Sequence, residues 1–359
     1  MIVTPENMTF EGKKFSMILY GSPGVGKTTL ALSAPDPVLL DFDRGISRVK
    51  AQHRKATEFF FSQEVKDLLD SGILPGAVAD KMTATYGIKF TEEMIASLSK
   101  FASTYDEVLD DLRNSPSVKK AQTIVVDTGG SFITFLQDWA MRTDPKVNKQ
   151  KNGAISLKGF GAVKQEFIRF TNYVKDTLNK NLIYVFHSQE QTDKDGNSQQ
   201  RLMCEGAAKN IVWTPCDFGG YVQMIGNQRV VCFSPEQEYF AKGCHGIVGQ
   251  IPVPELGPTD ANDFITKLFE KAKANIAAEA DAYAPIKEQY DRVMEAVRQM
   301  VETITDAESA NKVVADVKAL EHASTSMKES SKMIDEKAKS IGLRYSKSAL
   351  AYIKADKEG

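Results

Sequence analysis

Eight consecutive residues constrain this chain more than any others: Gly21-Ser22-Pro23-Gly24-Val25-Gly26-Lys27-Thr28. They satisfy the spacing G-x-x-x-x-G-K-[ST]. An apolar run, FSMILY at 15–20, leads into them, and a helix-compatible run, TLALSA, follows. The spacing is chemical. Glycines let the backbone wrap around phosphates with its N–H groups turned inward. A helix starting near Lys27 adds the positive end of its dipole. Lys27 supplies a point charge for the β- and γ-phosphates, and the Thr28 hydroxyl is a ligand for Mg²⁺. Gly21 to Thr28, with Thr29 beyond, is therefore the expected cradle for ATP with Mg²⁺.

Such a loop needs a carboxylate at the end of another strand. Thr123-Ile124-Val125-Val126-Asp127 supplies it, so Thr28 and Asp127 are the candidate metal residues, with Thr128 and Ser131 beside them. A Glu does not follow Asp127, which points away from AAA+ ATPases. The base for water attack must then come from elsewhere. The run VLLDF continues Asp41-Phe42-Asp43-Arg44-Gly45, and period-2 alternation puts Asp41 and Asp43 on one face. Asp43 is the candidate base, with Asp41 and Glu190 next in line. The run LIYVF at 182–186 ends in His187-Ser188-Gln189-Glu190, a polar strand end beside the same edge.

Short apolar runs at 15–20, 38–42, 58–61, 123–126 and 182–186 alternate with longer polar segments. This pattern predicts an α/β core with a mainly parallel sheet. Residues 62–118 form a helical insertion. From 212 to 253 the pieces YVQMI, RVVCF and EYFAK, separated by turn residues, predict antiparallel hairpins on the sheet edge. The proline-rich IPVPELGPTDAND marks a linker at about 252–262. The expected domains are 1–255 and an α-helical region at 262–359. In the latter, Tyr290, Val293, Val297, Val301 and Ile304 recur at helical spacing, Thr305-x-x-Glu308 suits a capping box, and Gly342 suits a helix end.

Charge excludes a globally basic coat: 45 Lys and Arg face 47 Asp and Glu, a net charge of -2. The cysteines, Cys204, Cys216, Cys232 and Cys244, have neither zinc-knuckle nor redox spacing. With no apolar run of membrane-spanning length and no leader-like start, a cytoplasmic protein with reduced thiols and no membrane partner is expected.

These motifs resemble the RecA-like P-loop ATPases, and among them the phage nucleotide-binding proteins that act as single-strand annealing recombinases. The resemblance runs from about Phe15 to Ile247 and is carried by ILYGSPGVGKTTLA, VLLDFDRG, TIVVDTGGSF and AKGCHGI. It implies a RecA-like core with added antiparallel edge strands. It also implies Asp43 as catalytic base in place of the usual Glu, and Gln189 as the γ-phosphate sensor with His187 as runner-up. Lys242 is implied as a cation reaching a neighbour's γ-phosphate, although Cys244 stands where an Arg is common. A ring or filament of identical subunits and host-cytoplasm localisation follow, with a single-strand DNA-binding protein as an accessory partner.

Residues 142–175 carry Arg142, Lys146, Lys149, Lys151, Lys158, Lys164, Arg169 and Lys175 against Asp144 and Glu166. A flexible basic loop there, with Lys146, Lys149, Lys151 and Lys158 as the DNA residues, suits phosphate tracking along a single strand. The segment 190–206 corresponds to a second DNA loop in the family, and Asp195-Gly196 equally suits a hairpin turn. The expected function is an ATP- and Mg²⁺-dependent ATPase that binds single-stranded DNA and promotes annealing or strand pairing. Two alternatives stand beside it: a motor or loader docking a partner through the helical tail, and a nucleotide-switched scaffold with little turnover.

Overall fold

The computed structural model describes residues 12–43, 45–50, 57–58, 68–86, 89–92, 95, 104–192, 196, 198–204, 212–257 and 259–354. The chain forms two compact units, Met1–Lys273 and Ala274–Gly359.

The first unit is built on a mostly parallel sheet. Its strands are β1 (Ser16–Gly21), β2 (Pro37–Asp41), β3 (Thr57–Glu58), β4 (Thr123–Asp127), β5 (Asn181–Thr192), β6 (Ser198–Leu202), β7 (Phe218–Ile225), β8 (Gln228–Cys232) and β9 (Gln250–Pro252). Their order is β3-β2-β4-β5-β1-β7-β8-β9, with β6 paired to β5. Strands β3 to β7 along that path pair parallel, whereas β8, β9 and β6 join antiparallel. This is the expected mainly parallel sheet with added antiparallel edge strands. YVQMI and RVVCF form the expected antiparallel hairpin, β7 with β8, and β7 is in addition laid parallel on β1. EYFAK forms only isolated bridges, among them Gly219 with Lys242.

Strands β1, β2 and β4 are buried on both faces, which is why they read as continuous apolar runs. Ile18, Tyr20, Leu40, Val126, Tyr184 and Phe186 point to one face and meet Phe132, Phe167 and Phe170 from helices Gly129–Thr143 and Leu157–Asn172. Each such side chain contributes about 1.5–3 kcal/mol through burial. Gly129 is needed because a Cβ there would lie 2.3 Å from the Phe186 ring. The described part of the insertion is helical, at Pro75–Tyr86, Tyr105–Asn114 and Pro116–Lys120; the rest of 62–118 lies largely outside the described residues.

The boundary between units falls inside the helix Phe264–Glu302, beyond the linker expected at 252–262. Ile265, Leu268, Phe269 and Ala272 are buried, and Phe269 packs on Phe15 at 5.3 Å between ring centroids. The second unit has its own core of Val293, Val297, Val301, Ile304, Ala310, Val313, Val317, Ile334 and Ala338. Its capping box lies one residue later than expected, with Asp306 as N-cap and Ser309 as its partner. Gly342, at φ 76°, follows the helix Ser326–Ser340 as expected. The hairpin β10 (Leu343–Ser346) and β11 (Ala351–Lys354) was not foreseen in a region read as helical.

Candidate nucleotide site

Parallel pairing sets the C-terminal ends of β1, β5, β4 and β2 side by side, in register Gly21 with His187 and Asp41 with Asp127. Ligands of open α/β sheets bind outside such an edge. Here the loop after β1 turns through Gly24 at φ 81° and Gly26 at φ 90°, a region that L side chains rarely adopt. Gly21 is held close to β7: a Cβ on it would lie 2.2 Å from the Val222 carbonyl oxygen.

Lys27 is buried, and its Nζ donates to the carbonyl oxygens of Gly21 at 2.9 Å and Ser22 at 2.8 Å. Loss of water lowers its pKa to about 8, an effect that nearby Asp127 partly opposes. Thr28 Oγ1 donates to Asp127 Oδ2 at 2.5 Å, tying the loop to β4. Asp127 is also buried. Desolvation raises its pKa to about 7; the Thr28 hydrogen bond opposes this, Asp41 and Asp43 add to it, and Lys27 opposes it. The loop cation and the strand-end carboxylate are thus both pushed towards neutrality by the same dry setting.

The two acidic residues of the second run separate in role. Asp41 ends β2 and accepts the backbone N–H groups of Gly45 at 2.8 Å and Ile46 at 3.0 Å, so it shapes the turn. Asp43 lies beyond the strand. It accepts Thr128 Oγ1 at 2.9 Å and the Ser131 hydroxyl. Asp43 lines the cavity together with Gly24, Gly26, Lys27, Thr28, Thr29 and Asp127. The structure thus brings together the loop, Asp127 and Asp43.

His187, not Gln189, lines that cavity. Its Nδ1 is buried without a hydrogen-bond partner. Burial lowers its pKa, and Lys27 lowers it further while Asp43 opposes. Gln189 stands two residues further on, opposite Arg201 in the β5–β6 ladder, so the runner-up for the sensor is the residue at the site. Lys242 is turned into its own chain: Nζ donates to the Cys216 carbonyl at 2.5 Å and reaches Trp213 O at 3.5 Å. That placement does not present it to a neighbouring subunit. Arg48, also on the cavity wall, was missed because a lone Arg after a turn carries no motif.

The basic segment divides as well. Arg142 pairs with Asp138 and Asp106, Arg169 with Glu166, and Lys175 with Asp217. Lys146, Lys149, Lys151, Lys158 and Lys164 are exposed and form no ion pair among the described residues. Lys158, expected on the loop, and Lys164 lie instead on the helix Leu157–Asn172, and Lys146 on the helical turn Pro145–Asn148; the loop that carries Lys149 and Lys151 is shaped rather than slack. Lys149 bridges to Ile155, Gln150 N donates to Ala154 O at 2.7 Å, and Gly153 turns at φ 90°. Buried Asn148 anchors its base by donating Nδ2 to Ala140 O at 2.8 Å. The other expected DNA segment pairs as a β5–β6 hairpin over Ser188–Thr192 and Ser198–Leu202; Asp195, Lys194 and Lys209 lie outside the described residues.

A family model described as an AAA domain matches residues 13–245, more than half of the chain. The chain belongs to the AAA domain family. The missing Glu after Asp127, which pointed away from AAA+ ATPases, does not keep it out of a family so described. This AAA-type P-loop ATPase domain is similar in structure to two solved proteins. One is the flagellar accessory protein FlaH from Methanocaldococcus jannaschii, at 10% identity and TM-score 0.26, covering 67% of this chain and 90% of that one. The other is the pCW3 conjugation coupling protein TcpA, solved as a monomer with ATPγS, at 11% identity and TM-score 0.23, covering 61% and 57%. None of the curated proteins compared matches the chain. No described helix of the AAA-type chain is long and apolar enough to cross a membrane.

The residues present fit a Mg²⁺-nucleotide. The Lys27 ammonium rests on two loop carbonyls that a phosphate can replace, and His187, whose Nδ1 is buried without a partner, lines the cavity. Thr28 and Asp127 would hold the metal, which supplies positive charge to the phosphates.

Proposed function

We propose that this protein is an ATPase that binds single-stranded DNA and promotes annealing or strand pairing, working as a ring or filament of identical subunits. The nucleotide half rests on the phosphate loop joined to Asp127, with Asp43 and His187 at the same cavity. In this scheme Lys27 and the loop amides hold the phosphates. Asp43 takes the proton of the attacking water. His187, kept neutral by its setting, is the hydrogen-bonding group beside the terminal phosphate.

The single observation that carries the DNA half is the ordered hairpin at 149–155, whose lysines have no carboxylate partner among the described residues in an otherwise charge-balanced chain. Exposed Leu157, 89% accessible beside Lys158, gives the same surface an apolar contact for unstacked bases. A single-strand DNA-binding protein fits as an accessory partner on the same DNA.

A second proposal, a nucleotide-switched DNA scaffold with little turnover, is favoured by Asp43 itself. Its carboxylate already accepts from the Thr128 and Ser131 hydroxyls, contacts that an attacking water would have to displace. ATP turnover with and without single-stranded DNA separates the two. Turnover stimulated by DNA is the expected result. Tight nucleotide and DNA binding with negligible turnover in both conditions would favour the scaffold.

A further inference from the structure

A further cation, Arg229, lies beside the phosphate loop. Arg229 sits on β8, near the tip of the β7–β8 hairpin, opposite Met224. Its backbone is fixed: Arg229 O accepts from Val253 N at 2.8 Å and from Gln228 Nε2 at 3.0 Å. Its side chain reaches back over the loop. A Cβ built on Gly26 would lie 3.0 Å from both Cζ and Nη2 of Arg229 and 3.2 Å from Nε. Three guanidinium atoms at nearly equal distance mean that the group lies flat against Gly26. Its Nε is buried and makes no hydrogen bond, and no described carboxylate pairs with it.

A buried donor without an acceptor costs about 1–3 kcal/mol. A cation left in that state against a phosphate cradle is poised for an anion. The sheet order says which end of the ligand it faces. Asp127 on β4 and His187 on β5 lie to one side of β1, and Arg229 on β8 lies to the other. With the metal and terminal phosphate directed towards Asp127, the opposite end of the phosphate chain is left towards β7 and β8.

We propose that Arg229 is a ligand for the nucleotide, supplied within the same chain, whose guanidinium binds the α-phosphate from the β8 side of the loop. Gly26 serves it twice, by adopting the left-handed turn and by leaving room for the guanidinium. The proposal rests on the nucleotide site described above. It makes Arg229 an affinity determinant with no part in the attack on the terminal phosphate, because it stands on the side away from Asp43 and His187.

The test is a titration of the full chain with Mg-ATP and with Mg-ADP. It compares wild type, Arg229→Gln, Arg229→Lys and Lys27→Ala, with a thermal melt without nucleotide to read the fold. Loss of one charge-assisted contact predicts about 10–100-fold weaker binding of Arg229→Gln. The factor should be the same for ATP and ADP, since both carry the α-phosphate. Arg229→Lys should regain most of it. Wild-type affinity in Arg229→Gln, a loss confined to ATP, or an Arg229→Lys variant as weak as Arg229→Gln would each overturn the proposal. Unchanged ATP affinity in Lys27→Ala would instead defeat the nucleotide site itself.

Discussion

The phosphate loop and the basic hairpin both carry lysines, and both meet phosphate in the proposed function, yet they are built in opposite ways. Lys27 is buried, bonded to two loop carbonyls and pushed down to about 8 by loss of water. Lys146, Lys149 and Lys151 stand in solvent on a turn anchored by buried Asn148. A buried cation in a fixed cradle discriminates one phosphate group by geometry. Exposed cations on a shaped surface follow a repeating backbone without reading it. The difference teaches where each kind of sensitivity should appear: geometry and pH at the loop, salt at the hairpin.

The largest effect should come from the dry side. Asp43→Asn keeps the shape but removes the base, so turnover should fall by about 10²–10⁴-fold while nucleotide affinity stays within a few-fold. A single-turnover assay beside a binding titration checks this. Near-wild-type turnover would move the base away from Asp43. Asp41 is a poor substitute, because its carboxylate is committed to the Gly45 and Ile46 amides.

pH should separate the two regions next. Lys27 has a lowered pKa of about 8, and bound phosphate raises it again. Binding above that pH must therefore take up a proton. Affinity should be full below about 8 and fall as pH rises through it, approaching tenfold per unit. Isothermal titrations at pH 7 and 9 in two buffers of different ionisation enthalpy would show the proton uptake. A flat profile would mean that Lys27 does not carry the phosphate charge.

Shape matters less than charge at the hairpin, so the smallest effect belongs there. Gly153 turns at φ 90°, and an L side chain in that region costs about 1–2 kcal/mol. Gly153→Ala should weaken single-stranded DNA binding only a few-fold, by loosening the turn while leaving every lysine in place. A loss as large as that from removing the lysines would show that the hairpin is read by geometry after all.

The same contrast explains what is legible in the sequence. The phosphate loop, Asp127 and the strands that hold them are contiguous patterns, and their physics is local. The helical stripe of the second unit was legible for the same reason. His187 ranked behind Gln189 because both share one face of a strand, and only the cavity decides between them. Arg229 escaped notice because sheet pairing, not spacing, brings it to the loop, and Arg48 because a lone Arg after a turn carries no motif. The hairpin of YVQMI with RVVCF was legible because its turn at Gly226 is a local signal, whereas the parallel pairing of YVQMI with β1, about two hundred residues away, was not. Lys242 matched a family position, yet its ammonium had nearer acceptors in Trp213 and Cys216. The hairpin at 149–155 read as flexible because its order comes from Asn148, one buried amide in a polar stretch.

The central claim is that nucleotide and DNA are held by separate cations, and one crossed titration tests it most directly. Lys27→Ala and the triple variant Lys146→Ala, Lys149→Ala, Lys151→Ala are each titrated with Mg-ATP and with two unrelated single-stranded oligonucleotides over a range of salt. Lys27→Ala should lose tight ATP binding and retain DNA affinity measured without nucleotide. The triple variant should bind ATP as wild type does. Its log affinity for both oligonucleotides should fall less steeply with log salt, by about 0.7 for each phosphate contact removed. Identical DNA affinities and salt slopes for wild type and triple variant, or loss of ATP and DNA binding together in both variants, would contradict the account.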